Sequence, residues 1–459
     1  MGSDSEYTFH RHLHKVYPEI VRGEGHYLTT DDGREVFDGC SGAAVSCIGH
    51  GNKRVIKAIT DQLNATGTPY LASSFWGSDV VNRLCKELIQ GTDGKMARVY
   101  LTGSGSEAME AAIKLSRQFF LEKNPPEVAR VNFITREGSY HGNTIGALSV
   151  SGHIARRQPY LPFLTENVHQ ISACYPYRQR MKGESDADFV VRKAAELEKK
   201  FQDLGPNTVI AFIAEPVVGA ALGCVPSVPG YFKALQKVCH KYGALFILDE
   251  VMCGMGRTGT LHAWQAEDVI PDIQTNAKGL GGGYQPIAAM MVSAKIVNVI
   301  MQGSGEFVHG MTYQAMPVQA AAALEVQKII REDKLLEKVS IQGEYLGNLL
   351  KDYLGSHPNV GDIRGRGLFW GIEFVKEKAT KEPFDFNIAY QLRDLILSTP
   401  FNMTVYPGTG TVDGRRGDHI ILAPPYTVKK KEVEIIATTL LAAINFFFSK
   451  DPAYAHGVN

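Results

Sequence analysis

An α/β fold built on a mostly parallel sheet is predicted by three features of the sequence. Short apolar runs alternate with helical patterns through the middle of the chain, the mark of a parallel sheet. Four of these runs end in chemically unusual residues: Gly and Ser, Tyr-His-Gly, Glu-Pro, and Asp-Glu. No internal repeat or low-complexity tract interrupts the alternation.

The first run is "ARVYLTGSGSEA" from Ala97. A helix is predicted directly after it, because Ala108, Ala112, Leu115 and Phe119 recur at helical spacing. Ser104 and Glu107 have the spacing of a capping box. The second run is "RVNFITREGSYHG" from Arg130, and the third "TVIAFIAEPVVG" from Thr208. Between them Val190, Ala194, Leu197, Phe201 and Leu204 mark an amphipathic helix. The fourth run, "ALFILDEV" from Ala244, passes straight into Asp249 and Glu250. After about Gln319 one long helix is predicted, followed by short strands around "LFWGIEFV" and "HIILAP". Residues 65–320 read as a large domain. Residues 1–64 and 321–459 read as an N-terminal arm and a C-terminal part that together build a smaller one.

Composition excludes several function classes. The 459 residues are 44% hydrophobic and 21% charged, with 48 basic and 48 acidic side chains. Net charge of +0 gives no electrostatic case for nucleic acid or an anionic membrane. Seven scattered cysteines without a C-x-x-C pair read as reduced thiols of an intracellular protein. The opening "MGSDSEYTFHRHLHKVYPEI" has no apolar signal region, and the closing "HGVN" spells no organelle address, so a cytoplasmic location is expected. "IIATTLLAAINFFF" from Ile435 is short of a membrane span and reads as a buried helix. His10, His12 and His14 lack a set of partner ligands, so no metal is expected. "RGRG" from Arg364 reads as a tight turn into a strand.

In open α/β sheets, ligands sit beyond the carboxyl ends of the strands. One acid-ended strand reads most simply as a turn or cap; four unusual ends in one sheet imply a shared site. Ser104, Gly105 and Ser106 open a helix and can cradle one phosphate with backbone N–H groups. Lys278, between Ala277 and a glycine run, suits an amine of lowered pKa that forms a Schiff base with a carbonyl. A buried Asp249 needs a cation, and a protonated pyridine nitrogen would serve. Tyr140 offers a face on which to stack a flat ring. One phosphate, one aldehyde, one pyridinium and one flat ring describe pyridoxal 5′-phosphate.

Gly254 to Gly259 spell G-x-G-x-x-G, which raises the rival of a dinucleotide-binding oxidoreductase. The setting argues against it. Two acids precede the glycines, where they would repel a pyrophosphate, and no long helix follows.

The segment "LFILDEVMCGMGRTG…PDI…AKGLGGGYQPIAA" resembles the class III (ω-type) aminotransferases, and the resemblance extends over nearly the whole chain. It implies the type I fold of pyridoxal-phosphate enzymes, with a smaller α+β domain built from both termini. It implies Lys278 as the Schiff-base lysine and proton carrier, and Asp249 as the partner of the pyridine nitrogen. Val251 would pack opposite Tyr140, Ser104 to Ser106 would hold the phosphate, and His141 and Glu215 would line the cofactor. Thr312, in "HGMTYQAMP", would reach across the interface of a homodimer. The implied reaction moves an amino group from an amine or ω-amino acid to a keto acid such as pyruvate or 2-oxoglutarate. A decarboxylase, aminomutase or racemase on the same fold is the alternative, because fold does not fix reaction. Gly103 and Met109 stand where the family often writes asparagine. Ala43 and Ala44 stand where several relatives carry bulkier residues, which predicts a roomier pocket at Ala44. Arg415 and Arg416 are the candidates for gripping the acceptor carboxylate, although Gly414 falls at the nearest register. Phe75 and Trp76 are candidate pocket aromatics.

Overall fold

A computed structural model describes residues 7–449. The "HGVN" terminus and the first six residues of the opening segment lie outside them. The central element is a seven-stranded sheet. Its strands are β4 (Arg98–Thr102), β5 (Asn132–Arg136), β6 (Val168–Ile171), β7 (Val209–Ala214), β10 (Leu245–Asp249), β11 (Ile273–Asn276) and β12 (Ala288–Val292). They lie in the order β4-β12-β11-β10-β7-β5-β6, and β12 alone runs antiparallel to its neighbours. The N-terminal strands β1 (Ile20–Glu24), β2 (Tyr27–Thr30) and β3 (Glu35–Phe37) form a separate sheet. A short ribbon pairs β8 (Val217–Val218) with β9 (Val225–Pro226).

The run "LFILD" is apolar throughout because both faces of β10 are covered. Leu245 and Ile247 pack in a cluster with Met109, Ala112 and Phe119 of the helix Gly105–Glu122. Phe246 and Leu248 point the other way, into a cluster with Leu197 and Phe201 of the helix Asp186–Leu204 and Leu235 of the helix Tyr231–Lys241. This two-residue alternation fixes register, since a slip of one residue would exchange the faces. It also holds the end of the strand, and hence Asp249, at a fixed place.

The C-terminal part carries an antiparallel sheet in the order β13-β14-β16-β15. The strands are β13 (Val360–Gly365), β14 (Trp370–Phe374), β15 (Tyr406–Thr409) and β16 (Asp418–Leu422). One hydrophobic cluster joins its residues with Phe37, Ile48 and Val55 from the N-terminal region.

Three expectations are corrected here. The single long helix is two helices, Pro317–Glu332 and Leu335–Leu354, broken at Lys334, whose φ is 50°. The apolar C-terminal stretch belongs to a longer helix, Lys430–Ser449, which by length and composition alone could cross a membrane. Its Val433, Ile436, Leu440 and Ile444 are buried in the C-terminal core. Arg364 lies in β13 rather than in a turn. It is buried, pairs with Glu373 at 2.7 Å and donates to the carbonyl of Gly223 at 2.8 Å.

Candidate active site

A cavity of about 490 Å³ lies at the carboxyl ends of the central strands. Its lining includes Ser104, Gly105 and Ser106 after β4, Tyr140 and His141 after β5, Glu215 after β7, Asp249 and Val251 at β10, and Lys278 after β11. Nine sequence-predicted residues thus meet at one place. Each follows a strand that the sheet ends on the same side.

The first helical N–H groups of Gly105–Glu122 have no intrahelical partner and face this cavity. Ser104 is the N-cap, and its Oγ accepts from the Glu107 N–H at 3.3 Å. The Glu107 carboxylate in turn accepts from the Gly103 N–H at 2.8 Å. Ser106 Oγ donates to Asn143 Oδ1 at 3.0 Å, so Asn143, which no sequence pattern indicated, braces the loop. Gly105 is required by packing. A Cβ there would fall 2.8 Å from Val251 Cγ1.

Asp249 is 3% exposed. Its Oδ1 accepts from the Val251 N–H at 3.0 Å and the Thr275 hydroxyl at 3.2 Å, and its Oδ2 lies 2.8 Å from His141 Nδ1. A carboxylate offers about four lone-pair sites, so one further donor can be taken. His141 Nε2 is buried without a partner among the described residues. Glu215 binds the N–H groups of Tyr140 at 3.1 Å and Gly219 at 3.0 Å, and burial raises its pKa, with Asp249 adding to the effect.

Lys278 sits in the left-handed region at φ 45°, an unfavourable conformation for a side-chain-bearing residue. Its Nζ makes no hydrogen bond or ion pair among the described residues. Burial depresses its pKa to about 8, against the pull of Asp249 and Glu215. The site therefore holds an unpaired amine, a carboxylate with a free acceptor position, an anion-binding helix end and an aromatic wall. These residues fit a group with a carbonyl, a ring cation, one phosphate and a flat ring.

Glu250, the second acid after the strand, serves structure. Its carboxylate accepts from the N–H groups of Ala263 and Trp264, both at 2.7 Å, and so caps the short helix Ala263–Ala266. Burial pushes its pKa up to about 8. Glu250→Ala is expected to lower stability by about 2–3 kcal/mol, since two buried N–H groups lose their acceptor. Chemical denaturation checks this, and an unchanged midpoint would refute the role.

Gly254 to Gly259 do not line the cavity. They pack close to Tyr426, Leu336 and Ser340. Within them Arg257 is buried, donates to the carbonyls of Leu368 at 3.0 Å and Pro424 at 2.6 Å, and lies over the Tyr426 ring. The glycines thus join the nucleus of the site to the C-terminal part.

Several expected substrate contacts stand elsewhere. Ala44 does not face the cavity: it is buried against Met252 and Phe369 at φ 65°, and its neighbour Val45 lines the wall. Phe75 and Trp76 are 78% and 66% exposed in the single chain and line no part of this cavity. Arg415 and Arg416 lie on an exposed turn. Arg416 pairs with Asp413 at 2.8 Å, and Arg415 donates to Gln158 at 3.2 Å. Thr312 is exposed and outside the cavity of its own chain. Val45, Met252, Gln285 and Ile287 also line the wall and were not singled out by sequence. "GGGYQPIAA" carried a signal for the last two, as part of the family segment.

Residues 8–444 match the aminotransferase class-III family. The chain is 49% identical over 444 residues to an aminotransferase of Gibberella zeae, covering 95% of this chain and 86% of that one. It is 45% identical over 440 residues to an uncharacterized aminotransferase of Schizosaccharomyces pombe, covering 95% of each. The crystal structure of the omega transaminase from Pseudomonas jessenii in complex with PMP aligns with a TM-score of 0.87 at 32% identity, covering 96% of this chain and 94% of that one. The chain belongs to the class III aminotransferases. It is a pyridoxal-phosphate-dependent transaminase of the type I fold.

Proposed function

We propose that this protein takes the amino group from an amine or ω-amino acid and gives it to a keto acid, with pyruvate and 2-oxoglutarate as the acceptors to test first. The observation that carries the reading is the unpaired, half-buried Lys278 amine opening on a cavity that also holds Asp249. Pyridoxal phosphate, when bound, supplies a carbonyl that condenses with amines and a ring that stores an electron pair. The helix end at Gly105 and Ser106 would bind its phosphate, Asp249 its ring nitrogen, and Tyr140 and Val251 its two faces. His141, bonded to Asp249, would fix the carboxylate's orientation. Lys278 Nζ, neutral near its depressed pKa, would accept a proton from the carbon bearing the amino group and return it in the second half-reaction.

A homodimer belongs to the same proposal. Phe75, Trp76, Val308 and Tyr313 expose large apolar surfaces, and the rings of Tyr70 and Tyr313 meet 6.0 Å apart. A second subunit covering them would bring Thr312 toward a neighbouring site. The seven free cysteines support a reducing, cytoplasmic setting.

The loaded protein should be yellow, lose that band with an amine donor and regain it with a keto acid. Release of CO2 or isomerisation of the donor without return of the band would replace this reading with a decarboxylase or mutase. Val45→Trp is expected to penalise bulky amines relative to small ones by roughly tenfold or more in kcat/KM. Ala44→Trp should instead destabilise the fold by about 3 kcal/mol, because Ala44 is packed in a core. Steady-state kinetics and thermal denaturation of the two variants separate wall from core.

A further inference from the structure

Lys278 keeps a φ of 45°, which a side-chain-bearing residue holds only where the chain is fixed on both sides of it. Upstream, β11 does this: Thr275 and Asn276 pair with Asp249 of β10 and Ala289 of β12. Downstream, the chain makes one tight turn, Lys278–Leu280, and enters the run Gly281-Gly282-Gly283, which has little stiffness of its own. Something outside the turn must therefore hold it.

The last carbonyls of a helical turn have no partner within it. Those of Gly279 and Leu280, two buried residues, accept from the side-chain amide of Gln327, at 3.1 and 2.9 Å. A second donor to Gly279, Cys47 Sγ at 3.5 Å, is a thiol and a weak one. Gln327 stands on the helix Pro317–Glu332 and is 5% exposed. Ala320, Ala323 and Leu324 of that helix pack in one cluster with Met255 and Leu280. Their spacing makes position 327 the next apolar place on the same face. A buried amide there is costly unless it is bonded. Its bonds run to the turn that begins at the site's lysine.

We propose that Gln327 is a positioning residue for Lys278: its amide clamps the carbonyls of Gly279 and Leu280, holds the turn in place and so aims the Lys278 amine into the cavity. The role rests on the reading of Lys278 as the lysine that meets the cofactor's carbonyl. With the clamp gone, Lys278 can relax toward a negative φ, and its side chain swings away from Asp249 and the helix end at Gly105.

Gln327→Met tests this, because it removes the donor and keeps the volume. The volume matters, since Gln327 also borders a separate cavity of about 410 Å³ from which water could reach the two carbonyls. In the holoenzyme, kcat is expected to fall roughly ten- to a hundredfold with little change in KM, the cost of a misplaced reacting group. In the cofactor-free protein, modification of Lys278 by a small aldehyde and borohydride is followed against pH. Its midpoint should rise from about 8 by roughly one pH unit, as the amine becomes better hydrated. Asp249, Glu215, Cys253 and Arg156, the groups whose charges reach Lys278, are untouched by the substitution, so the midpoint reports position. Gln327→Asn, an amide one methylene too short, should give the same shifts and serves if the methionine variant does not fold. Ile330→Val, a change in the buried part of the same helix, should lower stability and leave kcat and the midpoint unchanged. An unchanged kcat and midpoint in Gln327→Met, or equal shifts in Ile330→Val, would overturn the role. A reduced cofactor label on a lysine other than Lys278 would end the catalytic reading. The midpoint in the cofactor-free protein would then still decide whether Gln327 places the Lys278 amine.

Discussion

Lys278→Ala should abolish transamination, with a loss of at least about a thousandfold in kcat, because on the proposed reading one side chain would serve as both carbonyl partner and proton carrier. Folding should be little affected. Lys278 makes no hydrogen bond among the described residues, and its positive φ is a cost in the native state. The same environment predicts a pH dependence. The neutral amine is the nucleophile, and burial lowers its pKa to about 8. Modification of the cofactor-free protein by a small aldehyde and borohydride should therefore rise with pH and level off just above 8 at Lys278. Exposed lysines should keep climbing toward their usual value of about 10.4. Peptide-resolved labelling across pH 6–10 checks this. A Lys278 midpoint at the value of the exposed lysines would mean that the amine is not desolvated.

Asp249→Asn is expected to keep the fold and lower kcat by roughly a hundredfold or more, since on the proposed reading a preorganised charge would be lost at the ring nitrogen. Asparagine can still accept from the Val251 N–H and the Thr275 hydroxyl. Asp249→Ala removes those acceptors and leaves His141 Nδ1 without its partner. It should therefore also destabilise by about 1–3 kcal/mol. Kinetics and denaturation of both variants separate the charge from the scaffold. Equal kcat for Asp249→Asn and the unmodified enzyme would remove Asp249 from the chemistry.

The acids and the lysine were legible because each violates the local rule of its surroundings. A carboxylate at the end of "LFILD" and a lysine beside "GLGGG" both need a partner that the neighbouring sequence does not provide. The sheet that brings them together follows from apolar runs, which the order of residues alone reveals. What the sequence did not reveal depends on contacts between distant segments. Glu250 caps a helix that begins thirteen residues downstream, at Ala263. Asn143 meets Ser106 only because two loops converge. The break at Lys334 is hidden because apolar spacing continues through it and no glycine marks the positive φ. Arg415 and Arg416 have the right chemistry, but the turn at Asp413 holds them outward. Ala44 and Val45 are adjacent in sequence, and only the backbone geometry decides which of them faces the cavity.

The most direct test of the site is reduction of the loaded protein with borohydride, followed by proteolysis and peptide mapping. The label is predicted on the peptide that contains Lys278, with none on other lysines. A pyridoxyl group fixed to any other lysine would contradict the site built here from β10, β11 and the helix at Gly105.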